Sequence, residues 1–73
     1  MPVNKQNVDD VFTYHPPGPG DPERYENIRA HAKALAQVIL SETPQCADQQ
    51  AALRHLREAV MTANAAIALK GAI

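Results

Sequence analysis

The sequence has no tryptophan, one phenylalanine and two tyrosines, so aromatic residues make up 4% of its 73 positions. A core built on large rings is excluded. Cys46 is the single cysteine, which excludes a disulfide within the chain. His15, His31 and His55 are scattered, and neither a Cys-x-x-Cys nor a His-Glu-x-x-His pattern occurs, so no structural or catalytic metal site is expected. No apolar run approaches the roughly 20 residues needed to span a bilayer. Charge of one sign is also lacking. Seven Lys and Arg against eight Asp and Glu give a net charge of -1, which argues against a bulk binder of DNA or RNA. A lone cysteine and the absence of a cationic-then-apolar leader point to a reducing, cytoplasmic setting.

What remains is a short chain rich in alanine and helix formers. At 73 residues it allows one domain at most, and a domain that small is marginal as a monomer. Small folds usually gain stability from disulfides, metals or partner subunits. With the first two excluded, self-association is the expected source of extra burial.

Three helices are expected, and no strand. A short one spans about residues 7 to 14, with Asn7 as its cap, Asp9 and Asp10 in its first turn, and Val8, Val11 and Phe12 on one face. Phe12 reads as its core anchor. Residues 15 to 20, His15-Pro16-Pro17-Gly18-Pro19-Gly20, forbid helix and strand and make a stiff elbow. Asp21-Pro22 then opens a helix over about 21 to 41, Asp21 as N-cap and Pro22 at the first helical position. Its apolar stripe is Tyr25, Ile28, Ala32, Leu35 and Ile39. Pro44 fixes a break. A third helix covers about 46 to 70, with a stripe of Leu53, Leu56, Val60, Ala63 and Ile67, flanked by Ala52, Ala59 and Ala66 and stopped by Gly71. Two helices of roughly 20 and 24 residues form an antiparallel hairpin about 30 to 36 Å long. Asn64 lies in an alanine-rich stretch. It either specifies oligomer register from a buried position or sits at a solvent edge.

No catalytic constellation appears, and the chain is not expected to be an enzyme. Ser41 and Thr43 have no evident base, and no Cys-His spacing supports a nucleophile. Binding groups are more apparent, each with two readings. Tyr14 sits where the short helix meets the elbow. It either projects to stack on a flat ligand such as a nucleobase or packs the elbow on the hairpin. Arg29 and Lys33, at i and i+4, either clamp a phosphate or belong to a solvated face on which Arg24, Glu26 and Arg29 make mixed-sign contacts, and Arg54, Arg57 and Glu58 read as a similar face. Arg24 lies near a helix start that favours anions. Lys70 suits a helix C-terminus by charge alone.

Three segments then match a family in order. They are Phe12-Thr13-Tyr14-His15-Pro16-Pro17, Glu23-Arg24-Tyr25-Glu26-Asn27-Ile28-Arg29, and Glu58-Ala59-Val60-Met61-Thr62-Ala63-Asn64-Ala65-Ala66-Ile67-Ala68. Together they resemble the second type of phage anti-CBASS protein, a family of cyclic-nucleotide sponges, over nearly the whole chain from Asn7 to Gly71. The resemblance implies an all-α fold, with a short N-terminal helix folded against a two-helix hairpin and assembled as a homohexamer. It implies sequestration, without cleavage, of the cyclic di- and trinucleotide messengers of bacterial CBASS immunity, in the cytoplasm of the infected host. For a cyclic dinucleotide it assigns stacking to Tyr14 and phosphate contact to Arg29, with Lys33 one turn on, and it places Tyr25 and His15 in the same set. For a cyclic trinucleotide it assigns Lys70 and His31. Two alternatives stand beside it. One is a hairpin module that docks on a host factor. The other is a sponge for a cyclic ADP-ribose type of signal, since a similar hairpin occurs in an anti-Thoeris phage family.

Overall fold

A computed structural model describes residues 2–72. Among them are three helices and no strand: α1 Val8–Val11, α2 Asp21–Glu42 and α3 Ala47–Ala68. α2 and α3 each have 22 residues, or about 33 Å, and they pack on each other as the hairpin.

α1 is one turn, ending three residues before the expected Tyr14. Two causes combine. Asn7 does not cap it, because its Oδ1 turns back to accept the Asn4 N–H at 2.8 Å. Pro16 also drives His15 out of the helical region. The chain closes instead through local bonds. The Thr13 hydroxyl donates to the Asp9 carbonyl, and His15 Nε2–H donates to the Asp10 carbonyl at 2.6 Å. Among the described residues α1 does not pack on either long helix, contrary to the expectation that it folds against the hairpin. Phe12, expected as an anchor, is 79% exposed for the same reason: α1, which it ends, does not pack on either long helix.

The start of α2 also differs from expectation. Gly20 is the N-cap, at φ 83, and Asp21 is already helical. The Asp21 carboxylate reaches upstream to accept the Gly18 N–H at 2.8 Å, while Asp21 N–H donates to the Gly18 carbonyl at 3.1 Å. This reciprocal pair sets the angle at which the elbow enters the helix.

At the far end, Thr43 ends α2 and Cys46 caps α3, its Sγ accepting the Gln49 N–H at 3.5 Å. The end of α3 falls at Ala68 rather than Lys70. Gly71 N–H donates to the Ala66 carbonyl at 3.0 Å and Lys70 N–H to the Ile67 carbonyl at 3.2 Å. That bond pair is a Schellman motif, and it puts Lys70 itself in the left-handed region at φ 54.

No apolar side chain among the described residues is fully buried. The α3 stripe holds as expected, with Leu53, Leu56, Val60, Ala63 and Ile67 all half-buried. The α2 stripe does not hold at one position. Leu35 is 49% exposed and Ala36 takes its place beside Ile28, Ala32 and Ile39. A straight helix drifts about 20° per heptad from a strict seven-residue repeat, and here the drift moves the seam by one residue. Asn64 is half-buried, and its Oδ1 lies out of solvent with no hydrogen-bond partner.

The result is thin. The extents are 46 × 27 × 16 Å and the radius of gyration is 15.3 Å, against about 11 Å for a compact chain of this length. The accessible surface is 5834 Å², where a compact monomer of this mass exposes about 4,400 Å².

Candidate functional site

One groove runs between α2 and α3, with a volume of about 490 Å³. Ala32, Ala36, Leu56 and Val60 line its apolar part, where the small α2 residues leave room beside the larger α3 ones. Arg29 and Lys33 come from α2 and Arg57 from α3. Among the described residues no carboxylate lines it. Among the described residues none of these three cations has a carboxylate oxygen within 4.0 Å, and the neighbouring Glu58 instead lies 3.7 Å from His55. A low-dielectric wall set with unneutralised positive charge focuses potential toward an anion.

A second groove of about 510 Å³ lies at the open end of the hairpin, lined by Asp21, Arg24, Ala66, Ile67 and Lys70. The N-terminus of α2 and the C-terminus of α3 meet there, which brings Arg24 and Lys70 to one place.

The structure therefore unites some of the residues singled out in the sequence and separates others. Arg29 and Lys33 share the first groove. Tyr25 is half-buried on the inward stripe of α2 and does not line that groove. Tyr14 is 81% exposed, projecting from the elbow with neither groove around it. His15 is half-buried and held on the Asp10 carbonyl. Lys70 lines the second groove, but His31 does not join it. His31 is exposed, with Nδ1–H donating to the Asn27 carbonyl of its own helix at 2.8 Å. Arg57 was missed, having read as part of a solvated face. The available signal was spacing: Arg57 is four residues after Leu53 and four before Met61, a row on one flank of α3.

Among the described residues no group of three His, Cys, Asp or Glu side chains is placed to hold a metal ion. Among the described residues no helix is long and apolar enough to cross a membrane.

A family model for the Acb2/Tad1 hairpin domain matches residues 4–68. The chain belongs to this family. It is the family of anti-CBASS cyclic-nucleotide sponges that the elbow and helix segments resemble. The Acb2/Tad1 match takes in α1, the elbow and both long helices, and it ends where α3 ends, two residues short of Lys70. No curated protein and no solved structure matches the chain.

Proposed function

We propose that this protein sequesters cyclic oligonucleotide messengers, cyclic dinucleotides first among them, and holds them uncleaved so that a CBASS effector is not activated. The observation that carries this reading is the apolar groove with Arg29 and Lys33 side by side and, among the described residues, no carboxylate in its lining, in a chain of the Acb2/Tad1 hairpin family. A cyclic dinucleotide offers the complement: two phosphodiester anions and two flat bases. Charge-assisted hydrogen bonds to phosphate contribute about 1.5 to 3 kcal/mol each, and stacking about 1 to 3 kcal/mol per base.

Assembly belongs to the same reading. Among the described residues the hairpin fully buries no apolar side chain, and Leu35 and Val38, outside the groove, are about half exposed. Copies of the chain cover these surfaces, in a hexamer, and a two-fold interface pairs tyrosines and cations with the approximate symmetry of the ligand. Tyr14, free of its own hairpin, stacks on a base at a site completed by a neighbour, with His15 holding the elbow and Tyr25 beside the interface. Lys70, with His31 from another copy, serves a cyclic trinucleotide. The protein acts in the cytoplasm of a phage-infected bacterium.

The test is incubation with a panel of cyclic di- and trinucleotides, removal of free ligand, heat release and chromatography. Intact recovery supports sequestration. Linear products identify an enzyme and overturn the reading. Recovery of none of the panel, with capture of a cyclic ADP-ribose isomer, replaces the ligand class.

A further inference from the structure

Arg57 stands outside the roles proposed above. It faces the groove from α3, opposite Arg29 and Lys33 on α2. Its neighbours at i−4, i−3, i+3 and i+4 are Leu53, Arg54, Val60 and Met61, so its own helix offers no carboxylate in side-chain reach. Lys33 is in the same position, with Arg29, Ala30, Ala36 and Gln37 at those offsets. Three cations thus border an apolar groove from two walls, where a solvated face normally mixes signs. Arg29 has Glu26 at i−3, but that carboxylate does not line the groove and lies beyond 4.0 Å, so an anion bound in the groove would relieve the mutual repulsion of the three cations.

We propose that Arg57 is a ligand-binding residue of this groove, a third cation that contacts a phosphate of a cyclic dinucleotide from the α3 wall while Arg29 and Lys33 contact it from the α2 wall. The proposal rests on the sponge reading and adds a contact to it. In the two-fold pairing proposed above each copy serves one phosphodiester, and Arg57 lets that copy reach it from both walls of its groove. The planar guanidinium adds a paired donor geometry that fits a phosphate and that lysine lacks.

The test is calorimetric titration of cyclic GMP–AMP into the wild type and into Arg57→Ala, Arg57→Gln and Arg57→Lys, with Arg54→Ala as control. Sedimentation and circular dichroism are recorded on every sample. Arg54 lies on the same helix but does not line the groove that holds Arg29. The expected result is a loss on the order of tenfold or more for Ala and Gln, from one charge-assisted phosphate contact. Lys recovers part of that loss, Arg54→Ala stays within about twofold of wild type, and assembly is unchanged. Gln retains much of the side-chain stem, so the test survives if Ala fails to fold. Wild-type affinity in Gln and Ala overturns the proposal and leaves the sponge reading standing. Loss of binding together with dissolution of the assembly also overturns it, since Arg57 then serves a second copy of the chain. A wild type that binds no cyclic dinucleotide overturns both, and is told apart because the variants are then irrelevant to the result.

Discussion

Gln49 Nε2 donates to both the carbonyl and the hydroxyl of Thr43, at 3.2 and 3.1 Å, closing the turn between the two long helices. At 5% exposure Gln49 is the one fully buried residue among those described. Thr43 in turn donates through its hydroxyl to the Ile39 carbonyl at 2.6 Å, so the last turn of α2, the loop and the first turn of α3 form one bonded unit. Gln49→Leu keeps the size and leaves the Thr43 carbonyl without its side-chain donor. It is expected to lower stability by about 1 to 3 kcal/mol, read as a drop in urea midpoint at fixed protomer concentration. Ligand affinity of the folded protein stays at the wild-type value. An unchanged midpoint would show that solvent replaces these bonds at no cost.

Gly20 caps α2 at φ 83, and a β-carbon added there would meet nothing within 4 Å, so a substitution is opposed by the backbone alone. Gly20→Ala is expected to cost about 1 to 2 kcal/mol, the penalty of a left-handed L-residue. Thermal unfolding at matched protomer concentration measures it, and a melting temperature equal to wild type would refute this account of the elbow.

Much of this architecture was legible in the sequence, and each miss has its own physical cause. The breaks at Pro16 to Gly20 and at Pro44 are local chemistry, and they fall where the residues require. The stripe of α3 is strong enough to be read directly. By contrast, Leu35 and Ala36 exchange roles because helix drift accumulates along α2, and no residue type announces it. Phe12 reads as a core anchor by its apolar spacing alone, yet nothing in this chain covers it. Lys70 reads as helical because Gly71 looks like the stop, while the Schellman bonds fall one residue earlier. At the site, Arg29 and Lys33 were visible as an i, i+4 pair. Arg57 was not, since its membership depends on which flank of α3 turns toward α2.

Tyr14, at 81% exposure, contributes little to the fold of its own hairpin. Tyr14→Ala is therefore expected to leave secondary structure and melting unchanged and to weaken cyclic-dinucleotide binding by about tenfold to a hundredfold, the worth of a base stack. Tyr14→Phe keeps the ring and retains most of the affinity. Calorimetric titration of the two variants decides the matter, and equal affinity for Tyr14→Ala and wild type removes Tyr14 from the site.

The exposed apolar pair Leu35 and Val38, at i and i+3 on α2, supplies a test of assembly. They are 49% and 52% exposed, which a lone hairpin has no means to cover. Sedimentation is expected to show a species several times the 7.9 kDa chain mass. Val38→Asp, which places a charge where a neighbour packs, shifts that species toward the monomer and lowers its melting temperature. A wild-type monomer that binds no nucleotide would favour the host-factor module instead.

Lys70 allows structure and binding to be separated by sign. Its backbone sits at φ 54, closing the Schellman motif in a region where glycine is at ease and lysine is strained. Its side chain lines the open-end groove with Arg24. Lys70→Gly relieves the backbone and removes the cation. It is expected to raise stability by several tenths to about 1 kcal/mol, because the left-handed conformation no longer carries a β-carbon. In the same protein, affinity for a cyclic trinucleotide falls about tenfold or more if the amine contacts phosphate. A residue retained only for helix geometry or dipole would give no loss of binding in this variant. Lys70→Arg supplies the converse: it keeps the strain, so stability stays near wild type, and its fork donates to phosphate in pairs, so trinucleotide affinity holds or rises. Thermal melts and titrations of the two variants against one cyclic trinucleotide separate the roles. Opposite movement of stability and affinity in Lys70→Gly, with affinity retained in Lys70→Arg, is the decisive outcome, since only the two together assign the loss to the missing cation.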